Sequence, residues 1–279
     1  VEDAAKLLAG GSVIGWVQGR SEYGPRALGS RSILADPRPA ENKEIINAMV
    51  KKREGFRPFA PAVLTERASE FFVVPPAKAD LGHMTYVLGV REDKRALLGA
   101  ITHVDGSARV QTVERDVNPR YWGVIEAFGT LTGVPVLLNT SFNNNAEPIV
   151  ETVDDAVVCF LTTKLNHLVV GDFVIDKREI TFERCRSLIP ALCPHVSLER
   201  VKGTGDDGRV HEFLRLANSD NLKTEPLSRE VWKLLDAADG AETLDALVTR
   251  LEVSGDAVLA ELVELWSKRL ITLFPRPVR

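Results

Sequence analysis

The chain has 279 residues, 44% apolar and 27% charged, with a formal net charge of −4. These are the proportions of a globular protein with room for one large domain or two unequal ones. The acidic balance argues against a general nucleic-acid binder, and three cysteines without a CxxC pair (Cys159, Cys185, Cys193) argue against a disulfide framework or a zinc ribbon.

Residues 2–9 read as an amphipathic helix stopped at Gly10 and Gly11. Residues 12–18 follow as a strand, and 24–32 as a loop around Pro25. Residues 41–51 read as a helix, because Ile45, Ile46, Met49 and Val50 recur at helical spacing. Pro58 and Pro61 then hold the backbone extended into a strand at 62–64, and 67–72 reads as a short helix. Residues 85–90, 100–103 and 110–113 alternate as strands. A helix at 121–132 ends at Gly133, and 134–138 is a buried strand. A helix at 152–162 and a strand at 167–175 complete the region. Strands and helices interspersed in this order imply an α/β or α+β domain over residues 1–184.

Residues 185–225, with Pro190, Pro194, Gly203, Gly205 and Gly208, read as a connector with one hairpin, 196–202 against 209–216. Residues 226–279 turn helical, with helices at 228–238, 243–251 (Thr243 as N-cap) and 254–268. A last strand at 270–274 completes a small, winged-helix-like module. Divided at residue 194, the two parts carry net charges of −1 and −3, which does not suit a module that grips DNA. No apolar run approaches the roughly 20 residues of a membrane span, and the opening VEDAAKLLAGG lacks the basic start of a signal peptide. Cytoplasmic residence, with no DNA or membrane partner, is the expectation. The chain opens on Val1 rather than Met, so a segment of a longer protein is expected.

Three stretches carry chemistry. Residues 18–57 hold nine Lys or Arg against five acids. A basic residue on a helix face is ordinarily solvated. Several here sit beside Gly or Pro instead, Arg26 in GPRALG and Arg57 in KKREGFRP among them, and Lys51 and Arg53 share the second stretch. The planar guanidinium fork suits phosphate because it donates two parallel hydrogen bonds. A structural salt bridge is the competing account of Arg26, and Arg38 and Lys43 read as surface residues. In THVDGSARVQ, a hairpin signal at Asp105-Gly106 lies among His103, Arg109 and Gln111, the last two on one face by alternation. A plain hairpin with a polar face stays open. In LLNTSFN, an apolar strand runs into Asn139, Ser141 and Asn143, and open α/β sheets collect ligands at the carboxyl ends of strands. A loop that caps its own backbone is the alternative. Cys159, in VVCFL, reads as core.

Taken in order, GRSEYGPRALGSRSILADPR, KKREGFRPFAP, THVDGSARVQTV and GVPVLLNTSFN resemble the carboxyl-terminal, YrdC-like domain of O-carbamoyltransferases of the NodU/CmcH type, over roughly residues 3–178. KKREGFRP is also similar to the Lys/Arg motif of the threonylcarbamoyl-adenylate synthases. The resemblance implies a twisted mixed sheet with flanking helices. It implies a domain that binds carbamoyl phosphate and ATP with Mg²⁺, forms carbamoyl-adenylate and releases pyrophosphate. The carbamoyl group would then pass to an acceptor hydroxyl of a natural product or sugar in an amino-terminal ASKHA-like domain, or a separate subunit, that holds its own metal. No metal ligand is expected on this chain.

Carried over residue by residue, Arg26, Lys51, Arg57 and Arg109 would be the catalytic set, and Asn139 and Ser141 further ligands of substrate and nucleotide. Arg20, Arg31, Arg53, His103, Gln111 and Asn143 would be second-tier contacts. Asn144-Asn145-Ala146 departs from the glycine that the family usually places before EPIV. The transferase domain is absent from this chain, so complete carbamoyl transfer is not expected of it alone. The tail from about residue 195 looks like a winged-helix or PqqD-like module, of a kind that binds a peptide or protein partner. A packing accessory is its other account. The alternative function for the whole is a non-catalytic nucleotide- or RNA-binding or partner-recruiting module. Compact basic motifs and 6% aromatics weigh against RNA.

Overall fold

A computed structural model describes residues 1–48, 59–75, 80–204, 210–219 and 222–275. Its contacts divide the chain into two units, Val1–Lys177 and Arg178–Arg279.

The first unit contains α1 (Glu2–Ala9), β1 (Ile14–Val17), β2 (Arg31–Ala35), α2 (Glu41–Ile46), β3 (Ala60–Leu64), α3 (Ala68–Phe71), β4 (Val87–Gly89), β5 (Ser107–Arg109) and β6 (Gln111–Val113). It continues with α4 (Pro119–Thr132), β7 (Val136–Ser141), α5 (Val153–Thr162), β8 (His167–Val170) and β9 (Phe173–Asp176). Seven strands form one mixed sheet in the order β6-β3-β7-β2-β1-β8-β9. β1 runs parallel to β8, and β3 to β6. The remaining pairs are antiparallel, as is the separate ribbon of β4 and β5.

Alternation along the strands sorts the core onto two faces. Ile14 and Trp16 of β1, Leu34 of β2 and Leu137 of β7 join one buried cluster with Leu8 of α1 and Val124, Ile125 and Phe128 of α4. Their sequence neighbours Val17, Ile33, Val136 and Leu138 join a second cluster with Ala156, Cys159 and Phe160 of α5. Helices thus cover both faces, and Cys159 is core as expected. Each large apolar side chain so buried contributes about 1.5–3 kcal/mol. The place of Phe142 is set by a glycine: a Cβ on Gly15 would lie 2.6 Å from its ring.

Local chemistry explains the helix ends. The Asn118 side chain accepts from Tyr121 N (3.1 Å) at the start of α4, Pro119 follows, and Gly133 closes the helix at φ 78°. Thr152 and Asp155 form a capping box at α5.

Some expectations change. Strand β2 begins at Arg31, inside a segment that read as loop. Residues 100–103 form turns, with Thr102 N donating to Leu98 O, rather than a strand. Residues 167–175 are two strands, because Gly171 at φ 57° reverses the chain between β8 and β9. The helix at 41–51 is present over Glu41–Ile46, and its last residues lie outside those described.

In the second unit, α6 (Phe182–Cys185) precedes β10 (Ile189–Leu192), which pairs with β14 (Ile271–Phe274). β11 (Val196–Thr204), β12 (Val210–Asn218) and β13 (Thr224–Pro226) form an antiparallel sheet. The expected hairpin is therefore present, but residues 185–225, read as a connector, are largely strand. The expected helices are present as α7 (Arg229–Ala237), α8 (Leu244–Leu251) and α9 (Gly255–Ser267). Ser228, Thr243 and Ser254 each accept a backbone N–H of the following helix. Among the described residues no helix is long and apolar enough to cross a membrane.

Candidate active site

The GPRALG segment has no regular secondary structure, and a carboxylate organises it. Glu22 Oε1 accepts the backbone N–H groups of Leu28 (2.9 Å), Ser30 (2.5 Å) and Arg31 (3.3 Å), donors that a loop would otherwise leave to solvent. Gly29 adopts φ 108° against the Tyr121 ring, where a Cβ would come within 2.1 Å of a ring carbon. Its carbonyl accepts the indole N–H of Trp16 at 2.9 Å. Arg26, exposed, is carried on the loop so fixed.

Two amides tie the loop to the sheet. Asn139 of β7 lies opposite Ala60 of β3, and Gln111 of β6 opposite Ala62. Gln111 Nε2 donates to Leu28 O (2.8 Å), and Asn139 Nδ2 donates both to Gln111 Oε1 (2.9 Å) and to Ala27 O (3.0 Å). The strand ends and the loop backbone thus meet through side chains that are 1% and 3% exposed for Asn139 and Gln111.

Arg26, Arg109, Asn139, Thr140 and Ser141, with apolar Phe59 and Met84, line one small cleft open to solvent. Burial, and then the charge of Arg26, push the pKa of the Arg109 guanidinium down. The two cations therefore share one cleft, each within reach of the other's charge. Among the described residues Arg109 Nε is buried without a hydrogen-bond partner, and no acid is paired with either arginine. Two like charges in a partly desolvated cleft repel, and an anion between them relieves that repulsion.

His103 stands beside this field. Asp105 Oδ1 accepts the Ser107 hydroxyl (2.6 Å) and the Ser107 backbone N–H (3.0 Å), and Ser107 Oγ lies 3.1 Å from His103 Nδ1. Since the hydroxyl hydrogen goes to Asp105, the Ser107 oxygen accepts from Nδ1–H, which leaves Nε2 as an acceptor. Burial lowers the His103 pKa, as do Arg109 and Lys43, against the opposing pull of Asp105. Lys43, read as a surface residue, adds to the same positive field. A helix-face position in the sequence carried no signal of that.

The other expected residues separate. Arg31 is 7% exposed, and all five of its side-chain donors go to backbone carbonyls. Nε and Nη2 reach Glu151 O (3.1 and 3.0 Å), Nη1 reaches Gln18 O and Ser30 O (3.1 and 2.9 Å), and Nη2 also reaches Gly19 O (3.2 Å). It is a framework residue rather than a substrate contact, because no donor is left for a ligand. Arg20 is exposed and lies outside the cleft wall. Asn143 accepts from Ser141 Oγ (2.9 Å) and donates to Glu147 O (2.8 Å), closing the loop after β7. Arg38 pairs with Asp36, two of its nitrogens reaching the carboxylate at 2.7–3.1 Å. Lys51, Arg53 and Arg57 lie outside the described residues. Among the described residues no group of three or more His, Cys, Asp or Glu is placed to hold a metal. Glu22 and Thr140 belong to the site and were missed. An acid six residues before the backbone N–H that it caps leaves no local pattern.

Residues 5–177 match the family model described as carbamoyltransferase C-terminus, a span that coincides with the first unit. The chain is 51% identical over 276 residues to the nodulation protein NolNO of Sinorhizobium fredii, covering 98% of this chain and 41% of that protein. It is 50% identical over 277 residues to the nodulation protein NolO of Bradyrhizobium diazoefficiens, covering 98% and 50%. The 3'-hydroxymethylcephem-O-carbamoyltransferase of Amycolatopsis lactamdurans is 42% identical over 178 residues, covering 64% of this chain and 33% of that protein. The chain spans half or less of the length of these relatives.

Proposed function

The chain belongs to the carbamoyltransferase C-terminus family, and from that premise we propose that its cleft binds carbamoyl phosphate and ATP and forms carbamoyl-adenylate. The observation that carries this reading is the pair of guanidinium groups of Arg26 and Arg109 lining one cleft, with no described acid paired to either. In the proposed half-reaction, water releases inorganic phosphate and carbamate from carbamoyl phosphate. A carbamate oxygen then attacks the α-phosphorus of ATP and expels pyrophosphate. The obstacle is bringing two polyanions together. Arg26 and Arg109 offset that repulsion, and the rest is positioning. This agrees with a sequence that carries no Ser-His-Asp or Cys-His signature.

The guanidinium forks fit the nucleotide phosphates. No described carboxylate cluster fits Mg²⁺, so the ion would arrive on the nucleotide, and no step is assigned to it. We assign the acceptor hydroxyl and the transfer step to the portion of the relatives that this chain does not span, as an amino-terminal domain or a separate subunit.

Carbamoyl-phosphate-dependent exchange of labelled pyrophosphate into ATP tests the proposal on the full chain. Exchange is expected. Folded protein that shows no exchange with Mg²⁺ and binds neither reactant overturns the reading.

A further inference from the structure

We propose that Asn139 makes the cleft selective for a carbamoyl group by accepting a hydrogen bond from its NH₂. This rests on the reading of the cleft as a carbamoyl phosphate site. The argument begins with two backbone carbonyls. Leu28 O takes a hydrogen bond from Gln111, so the nitrogen of that amide must face it and its Oε1 must face Asn139. Gln111 Oε1 and Ala27 O are both acceptors, so both hydrogens of Asn139 Nδ2 are committed to them. The orientation of the Asn139 amide is thereby fixed, and Oδ1 is what remains.

Among the described residues Asn139 Oδ1 is buried without a hydrogen-bond partner, in a residue 1% exposed that lines the cleft. A buried acceptor left unpaired is unfavourable until a donor arrives. The same cleft holds the complementary orphan, the Nε–H of Arg109. A ligand that satisfies both must present an acceptor oxygen and a hydrogen-bond donor as well as negative charge. Inorganic phosphate donates only through a protonated oxygen and has no acyl arm to reach past its own charge. Acetyl phosphate matches carbamoyl phosphate in size and charge but has a methyl group in place of NH₂. Carbamoyl phosphate supplies both. Gln111 is then a positioning residue, acting on the ligand through Asn139.

Titration calorimetry of the full chain with freshly dissolved carbamoyl phosphate, acetyl phosphate and inorganic phosphate tests this. Carbamoyl phosphate is expected to bind at least about tenfold more tightly than acetyl phosphate, the scale set by leaving a buried acceptor unpaired. In Asn139→Ala the ratio is expected to fall to near one. It is also expected to fall in Gln111→Leu, which leaves Asn139 in place but frees its amide to turn. Equal binding of both acyl phosphates by the natural chain overturns this inference and leaves the anion-site reading standing. Binding of none of the three overturns both. A ratio that persists in folded Asn139→Ala removes Asn139 from the role. If neither variant folds, the ratio in the natural chain decides alone.

Discussion

Arg26 and Arg31 are five positions apart in one motif, yet they do different work. Arg31 satisfies carbonyls from three separate stretches, around Gln18, Ser30 and Glu151. Its replacement leaves buried acceptors without donors. Arg31→Ala is therefore expected to lower stability by about 3 kcal/mol or more, read from denaturant unfolding. Arg31→Lys should not restore it, because an ammonium cannot reach all these acceptors. Arg26→Ala is expected to do the reverse, abolishing carbamoyl phosphate or ATP binding while the thermal midpoint barely moves. A large loss of stability there would return Arg26 to a structural role. His103 supplies a pH signature. Its folded pKa lies below the ordinary histidine value, chiefly through burial. Its neutral form is therefore favoured by folding, and stability falls as the pH drops from the ordinary histidine range toward the lower folded value. In His103→Gln that slope should flatten in unfolding curves taken across pH 5 to 8, the range in which histidine titrates.

At the scale of elements, the segment that matters most is the loop between β1 and β2. Its shape depends on the three N–H groups held by Glu22 and on the positive φ of Gly29 against Tyr121. Gly29→Ala is expected to move this loop, because an L side chain at that φ is strained and its Cβ would overlap the ring. Both the thermal midpoint and the affinity for carbamoyl phosphate should fall. Loss of stability with unchanged affinity would show that the loop does not position Arg26. Helices α1, α4, α5 and α7 to α9 were legible in the sequence, because their spacing and caps are local. Strand β2 was not. Its first residue is an arginine in a Gly-rich stretch, and it becomes strand through pairing with β1 and β7, partners 14 and more than 100 residues away along the ladder registers Val17↔Arg31 and Ser32↔Ser141. The 100–103 segment erred the other way. Its apolar residues fill core positions from turns, and burial alone had looked like strand.

For the whole molecule, the first unit coincides with the matched family model and has its own two-faced core. A chain ending at residue 177 is expected to bind carbamoyl phosphate within about threefold of the full chain, as a domain with its own core can; calorimetry on that fragment checks it. The sequence by itself determined the order and kind of most elements, the caps, and the four motifs that point to the carbamoyltransferase family. These follow from periodicity, turn chemistry and residue type, which act over a few neighbouring positions. Only the tertiary structure decided that Arg109 shares a cleft with Arg26, that Arg31 is consumed by distant carbonyls, and that the Asn139 amide is held with its oxygen left over. A polar group's role depends on which donors and acceptors the fold brings to it, and at this site those partners come from segments up to 120 residues away.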